Sequence, residues 1–123
     1  MKIVIPVLND AGLDSDISDH FGRVPYYLIL EIDNEGKVKN HSTIPNISEH
    51  RGGIGKPADH IIKLEPDAIV AKRMGPRAIN LFQKAKIAVL KTGANNVINV
   101  ISAYKKGELL ELTEGCLEAR HPE

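Results

Sequence analysis

The sequence predicts a mixed α/β fold, in which one five-stranded sheet carries helices on both of its faces. Two observations support this fold class. Short apolar runs that do not alternate with polar residues recur along the chain, and such runs are typical of strands buried on both faces. Between the later runs lie segments whose apolar residues follow helical spacing, which is the strand–helix alternation of a parallel sheet.

The first half of the chain predicts three strands. The opening strand is interrupted by Pro6, which we place near its carboxyl end or at a bulge because proline cannot donate to a β-ladder. Asp33-Asn34-Glu35-Gly36 is a hairpin turn signal, so the strands that flank it should pair antiparallel. The predicted segments are the strand Ile3 to Leu8, the polar loop 9 to 24, the strand Tyr27 to Ile32 and the strand Val38 to Ile44.

The second half predicts three helices that alternate with two buried strands. Pro57 and Pro76 mark first helical turns, where a missing N–H costs nothing, and Asn95 or Asn96 caps the third helix. The apolar helical stripes are Ala58, Ile61 and Ile62, then Ala78, Leu81, Phe82 and Ala85, and finally Val97, Val100, Ile101 and Tyr104. The buried strands are Ala68 to Ala71 and Ile87 to Leu90, and residues 109 to 112 are suited to a short final strand.

Right-handed crossovers make the first, fourth and fifth strands parallel and leave the second strand antiparallel beside the first. This arrangement is a ribonuclease-H-like three-layer sandwich. A chain of 123 residues is long enough to bury one core, so we expect a single domain over residues 1–123, with a flexible tail from about residue 113.

Composition argues against several classes of protein. The 16 basic and 16 acidic side chains cancel, which disfavours binding of nucleic acid or a membrane surface through net charge. No apolar run is long enough to cross a bilayer, and Met1-Lys2 leads directly into a strand instead of a signal peptide, so we expect a cytoplasmic protein. The lone cysteine, Cys116, excludes an internal disulfide and a multi-cysteine metal site within one chain.

The loop that enters the second strand holds the strongest chemical signal. His20-Phe21-Gly22-Arg23 places an imidazole, an aromatic ring, a glycine and a guanidinium at consecutive positions. Gly22 allows a turn or a close approach to a ligand. Imidazole is the commonest side-chain metal ligand, and arginine is the preferred fork for oxyanions. From the residues alone, this loop is a candidate anion or metal site.

Other segments should meet this loop at one edge of the sheet. Ligands of open α/β sheets gather at the carboxyl ends of the parallel strands, where helix N-termini add free N–H groups. The glycine-rich turn Arg51-Gly52-Gly53-Ile54-Gly55 opens the first helix and should reach the same edge. The basic side chains expected to converge there are Arg23, Arg51, Lys72, Arg73, Arg77 and Lys91. The sequence therefore predicts a cationic pocket for an anion.

Structural interpretations of the same residues stay open. His20 is also suited to a solvated or hydrogen-bonded loop position, and His50 is the weaker ligand candidate. The glycine-rich turn lacks the lysine and hydroxyl of a P-loop and does not follow a strand as in the dinucleotide-binding pattern. We interpret it as a tight turn that exposes amides to an anion. Gly75-Pro76 is equally a plain helix start. Cys116 is a free thiol or a cluster ligand.

Several of these features together resemble the signature of the dinitrogenase iron–molybdenum cofactor biosynthesis family. They are His20-Phe21-Gly22, Arg23 with Pro25, Gly52-Gly53-x-Gly55 and Gly75-Pro76. The family includes NifX-type carriers and the C-terminal domain of NifB-type proteins, and the resemblance covers nearly the whole chain. It implies the ribonuclease-H-like fold and a small binding protein, not an enzyme, that carries or scaffolds an iron–sulfur or iron–molybdenum-type cluster.

The resemblance also implies site residues and partners. Together with Arg51 and Arg77 of the predicted basic edge, it gives these cofactor-binding residues: His20, Phe21, Gly22, Arg23, Arg51, Gly52, Gly53, Gly55, Gly75 and Arg77, with His20 and His50 as metal ligands. An iron–sulfur scaffold or a P-loop ATPase would be the protein partner, nucleic acid and membranes would not be partners, and the chain would be a monomer or weak dimer. The five predicted strands and three amphipathic helices offer enough apolar surface for a domain of this length, so we expect folding without a cofactor.

An enzyme of ribonuclease-H-like architecture, a nuclease or a phosphoryl-transfer catalyst, is the alternative. Two-metal hydrolysis needs carboxylates that hold metals close together. The predicted first strand contains no carboxylate, and Asp67 stands at the edge of a later strand. We therefore expect binding instead of catalysis.

Overall fold

One mixed sheet with three helices organises the computed structural model, which describes residues 1–47 and 56–112. The sheet has six strands in the order β3-β2-β1-β4-β5-β6. They are β1 (Lys2–Val7), β2 (Tyr26–Ile32), β3 (Val38–Pro45), β4 (Ala68–Ala71), β5 (Ala88–Lys91) and β6 (Leu110–Leu112). The helices are α1 (Pro57–Lys63), α2 (Pro76–Lys84) and α3 (Val97–Lys105).

The predicted strand directions are confirmed. β1, β4 and β5 are parallel neighbours. β2 pairs antiparallel with β1 along the whole length of β1. The β2–β3 hairpin closes as predicted, since Oδ1 of Asp33 accepts hydrogen bonds from the backbone N–H groups of Glu35 and Lys37, both at 2.9 Å. Gly36 takes a positive φ of 82° there, a conformation that favours glycine.

The predicted count of five strands is wrong. β6 pairs antiparallel with β5, with Leu110 opposite Lys91 and Leu112 opposite Val89. Without β6, the outer backbone groups of β5 would form an open sheet edge, and such edges are usually covered. The ribonuclease-H-like assignment is finer than this sheet order and stays a prediction.

The first strand ends earlier than predicted. Pro6 lies inside β1 opposite Tyr27, beyond the two residues, Ile3 and Val4, that pair with β4. Proline is tolerated there because β1 has a strand partner on one side at this point. Leu8, predicted as part of the buried strand, follows β1 and is 53% exposed, so that part of the prediction is wrong.

Two apolar clusters cover the two faces of the sheet. On one face, Val97, Val100 and Ile101 of α3 pack with a set that includes Ile3 and Ile5. On the other face, Ile61 of α1 and Ile79 and Phe82 of α2 pack with a set that includes the strand residues Val4 and Ile69. Because side chains alternate between the faces of a strand, each face of the central strands needs its own apolar residues. The predicted helices on both faces are confirmed.

The apolar stripe of α2 is centred differently from the prediction. Ile79 and Phe82 are its fully buried residues, whereas Ala85, placed in the stripe by the sequence pattern, is exposed at the end of the helix. Complete burial of Phe82 stabilises the fold by about 1.5–3 kcal/mol. The caps of the other helices follow the prediction, with Pro57 opening α1 and Asn96 capping α3.

Backbone hydrogen bonds hold the long loop after β1 against the sheet. The N–H of Ser18 donates to the carbonyl of Pro6 at 3.1 Å, and the N–H of Ile17 donates to the carbonyl of Asn95 at 2.9 Å. A 3-10 turn, Gly12–Asp14, lies within the loop. These bonds place residues 19–23 near the carboxyl end of β1.

Some predictions fall outside the described residues. They concern His50, the glycine-rich turn from Arg51 to Gly55, and the tail from residue 113 that contains Cys116. Within the described residues, none of the helices combines the length and apolarity that a membrane span requires.

Candidate anion-binding cavity

The side chain of Phe21 anchors the loop that carries the His20-Phe21-Gly22-Arg23 motif. Its ring meets Phe82 of α2 edge-on, with centroids 5.4 Å apart, and lies 5.9 Å from the ring of Tyr27. The Tyr27 hydroxyl donates a 2.8 Å hydrogen bond to the carbonyl of Phe21. Burial raises the pKa of Tyr27 above its ordinary value, so the hydroxyl stays a neutral donor. Phe21 therefore fixes its neighbours and is not itself free to move onto a ligand.

A second anchor comes from Asn46, directly after β3. Its side-chain amide donates to the carbonyls of Gly22 at 3.1 Å and Val24 at 2.9 Å, and its backbone N–H donates to the carbonyl of Pro25 at 2.9 Å. Sequence reasoning missed this residue. An asparagine at a strand end is a common turn residue, and nothing in the sequence places residue 46 beside residues 22–25.

His20 and Arg23 are left exposed by this anchoring. The backbone N–H of His20 donates to Oγ of Ser18 at 3.0 Å, which shapes the turn before the motif. Gly22 is not among the glycines with positive φ, so it does not contribute a left-handed turn to the loop. The loop thus presents an imidazole and a guanidinium from a rigid base.

The motif lines a cavity of about 660 Å³ together with the starts of α1 and α2. Six of the predicted site residues line it: His20, Phe21, Gly22, Arg23, Gly75 and Arg77. The cavity lies where the loops after β1 and β4 meet, which is the sheet edge that the sequence predicts. Its volume falls within the range of about 300–1,000 Å³ that is usual for small-ligand sites.

The charges around the cavity are mostly positive. Among the described residues, four cationic side chains line it, and all four are exposed: Arg23, Lys56, Arg73 and Arg77. Asp19 is the one carboxylate among the described residues that line it. The remaining lining is largely apolar and includes Phe21, Pro57, Ala58, Met74, Ala78 and Leu81. Such a surface is suited to an anion that also has a weakly hydrated face, since guanidinium is itself weakly hydrated.

Residues at the starts of α1 and α2 line this cavity. Pro57 at the start of α1 and Gly75, the residue before α2, are both lining residues. Gly75 has φ −71° and ψ 159°, and a Cβ added there would meet nothing within 4 Å. Neither backbone conformation nor packing requires glycine at this position. The open space above Gly75 is part of the cavity.

Lys72 and Lys91 do not line the cavity, contrary to the expected convergence of basic residues. Nζ of Lys72 donates to Oδ1 of Asn95 at 2.7 Å and lies 3.5 Å from Oδ1 of Asp19. It therefore lies on the side of the loop that faces the β5–α3 connection. Lys91 is exposed at the end of β5.

The donor set could supply one or two bonds to a metal, not a closed coordination shell. Among the described residues, no three His, Cys, Asp or Glu side chains are grouped closely enough to hold a metal ion. His20 brings an imidazole to the cavity, and Met74 brings a thioether, a soft donor that sequence reasoning missed. The sequence offered a signal for Met74, because it directly precedes the Gly75-Pro76 helix start.

Comparison with known proteins adds the following matches. A family model described as dinitrogenase iron–molybdenum cofactor matches residues 1–107. An uncharacterized protein of Methanocaldococcus jannaschii is 31% identical over 111 residues, which are 89% of each chain. The crystal structure of another protein of that organism, provisionally named a dinitrogenase, has a TM-score of 0.72 at 28% identity and covers 91% of this chain and 94% of its own.

A solution structure from Thermotoga has the same fold. That protein, provisionally named a NifB protein, has a TM-score of 0.70 at 23% identity, over 91% of this chain and 93% of its own.

Proposed function

Because the chain belongs to the dinitrogenase iron–molybdenum cofactor family, we propose that it carries or scaffolds an anionic metal–sulfur cluster in the cavity beside His20. Membership of the family associates the chain with that cofactor. The carrier role, the kind of cluster and the residues that hold it are the proposal. The cluster is cargo in this proposal, and the protein is not an enzyme.

The observation that carries the proposal is the composition of the cavity wall. In the described part of the chain, four cations and one imidazole line the cavity together with apolar side chains that include Phe21, Met74 and Leu81. Iron–sulfur clusters are held in proteins by soft ligands. Hydrogen bonds to their sulfur atoms and nearby charges set their reduction potentials. Guanidinium groups beside apolar side chains fit the negative charge and the weak hydration of such a cargo.

The sparse ligand set suits a protein that must release its cargo. Resident clusters are usually held by four cysteine thiolates. In our proposal His20 supplies the metal–ligand bond and Arg23 and Arg77 face the negative charge, while Phe21, Gly22 and Gly75 shape the wall. His50, Arg51, Gly52, Gly53 and Gly55 remain proposed site residues on the sequence alone.

The wider proposals follow from this role. The chain acts as a single domain of ribonuclease-H-like architecture in the cytoplasm, and it exchanges cargo with an iron–sulfur scaffold or a P-loop ATPase. The nuclease or phosphoryl-transfer alternative has no specific support among the described residues, whose cavity is lined by four cations and one carboxylate.

The test is an anaerobic titration of the cofactor-free protein with a synthetic thiolate-capped iron–sulfur cluster dianion. We expect His20→Ala to weaken binding by at least about tenfold, because even the loss of an outer-shell partner of a metal ligand costs about 10–100-fold in affinity and His20 is the proposed ligand itself. His41→Ala is the matched control, since His41 is an exposed histidine of β3 outside the cavity. Equal affinity of the wild type and His20→Ala would refute the ligand role, and no binding by the wild type would refute the carrier role.

A further inference from the structure

Asp19 is the one described cavity-lining residue whose charge opposes an anionic cargo. It directly precedes His20, and its side chain is 70% exposed. Four cations line the same cavity, yet the basic group within ion-pair distance of Asp19, among the described residues, is Nζ of Lys72 at 3.5 Å. The carboxylate is thus paired from outside the cavity.

Lys72 is itself held in place. Its side chain is 19% exposed, and Nζ donates to Oδ1 of Asn95 at 2.7 Å. The carbonyl of Asn95 also accepts the backbone N–H of Ile17 at 2.9 Å. The β5–α3 connection therefore fixes both the ammonium group and the loop that leads to Asp19. A lysine with a fixed head group is a defined partner, unlike most exposed lysines, which lose much side-chain entropy on pairing.

We propose that Lys72 is a positioning residue that keeps the Asp19 carboxylate away from the cations of the cavity. This inference rests on the proposed function. Without Lys72, Asp19 is free to pair with guanidinium groups of the cavity wall, where it competes with an anionic cargo as an internal counter-ion. Carboxylate and guanidinium form strong, often bidentate pairs, so this competitor would be effective.

A simpler role for Lys72 makes a different prediction. If Lys72 acted just as one more positive charge near the cavity, its removal would weaken anion binding equally whether or not Asp19 carried a charge. If it acts through Asp19, its removal matters when the carboxylate is present and matters little when the carboxylate is gone. A double-mutant cycle separates these two cases.

The experiment titrates the same cluster dianion into the wild type, Lys72→Met, Asp19→Asn and the double variant. Methionine keeps the buried methylene stem of Lys72 and removes its charge. We expect Lys72→Met to weaken binding by about three- to fivefold in the wild type, because the pair with Asp19 is largely exposed, and by less than about twofold in the Asp19→Asn background. Lys91→Met is the control, because it removes the same charge from the same sheet edge outside the cavity, and it should change affinity by less than about twofold.

Each outcome decides the proposal. Equal losses in both backgrounds, or no loss in Lys72→Met, would overturn it while leaving the carrier role intact. No binding by the wild type would overturn the carrier role and this inference together. Should Lys72→Met not fold, Asn95→Ala tests the same hold on Lys72. We then expect a weaker loss that Asp19→Asn again suppresses, and the absence of that suppression would overturn the inference.

Discussion

The Tyr27 hydroxyl shows how much of the site depends on a single buried atom. It holds the Phe21 carbonyl, and burial raises its pKa above the ordinary value of about 10. When the pKa of a tyrosine is higher in the folded state than in the unfolded state, ionisation of the hydroxyl lowers the free energy of unfolding. Its contribution to stability is therefore complete below the unfolded pKa and is lost as pH rises towards the folded value.

We expect Tyr27→Phe to lower the free energy of unfolding by about 1–3 kcal/mol at neutral pH, because the Phe21 carbonyl loses its donor. Above pH of about 10, the difference between the wild type and Tyr27→Phe should shrink, since the wild type then loses stability through Tyr27. Urea unfolding at pH 7 and at pH 11 measures both values. A difference that does not change with pH would contradict the assignment of a buried neutral donor.

Residues that carry a chemical pattern could be predicted, and residues that act through tertiary contact could not. His20, Arg23 and Arg77 stand in a loop and at a helix start that sequence rules place at the carboxyl edge of a sheet. Asn46 contacts the loop from more than 20 positions away, and that contact exists because the β2–β3 hairpin returns the chain beside residues 22–25. No local pattern contains this information.

At the scale of elements, the start of α2 lines the cavity, and Gly75 leaves open space there. Gly75 is in an extended conformation with empty space beyond its Cβ direction. We expect Gly75→Leu to fold, with the free energy of unfolding lowered by about 0.5–1.5 kcal/mol, because Gly75 is the N-cap of α2 and leucine is a much poorer N-cap than glycine. The leucine side chain should occupy the cavity and reduce cluster binding by at least about tenfold.

Gly93 offers a matched control for this substitution. It lies in the connection between β5 and α3, and a Cβ there also meets nothing within 4 Å. Gly93→Leu adds the same side chain outside the cavity, so thermal unfolding and cluster titration should both match the wild type. If Gly93→Leu and Gly75→Leu weaken binding alike, the cavity beside α2 is not the binding site.

The helices and strands could be predicted from apolar periodicity and from proline, glycine and other turn residues, but several of their ends could not. β4 has the predicted bounds because four apolar residues are enclosed by polar ones, and prolines fix the starts of α1 and α2. Leu8 is as apolar as the strand residues that precede it, yet it follows β1 and is exposed. β6 is too short for its own pattern to distinguish it from a turn, and its pairing depends on the open edge of β5.

At the scale of the whole molecule, the two apolar clusters predict a chain that folds without cargo. Buried residues on both faces include Ile5 and Leu28 in one cluster and Phe82 and Ile79 in the other. We expect the purified, metal-free protein to unfold in one cooperative transition and to show α/β circular dichroism. A metal-free chain without cooperative unfolding would contradict this expectation and point to a structural role for the metal.

The division of the core between two faces has a consequence for hydrogen exchange. The cavity is lined by residues of α1 and α2, which pack on one face, whereas α3 packs on the other. A bound ligand makes local opening rarer in the segments that it contacts and leaves local opening of other segments unchanged. Amides that exchange only through global unfolding are slowed throughout the chain. Cargo should therefore slow exchange of the hydrogen-bonded amides near the starts of α1 and α2, such as those of His60 and Ile79, more than exchange of the amides of α3. A hydrogen-exchange map of the chain would then identify the face of the sheet that holds the cargo.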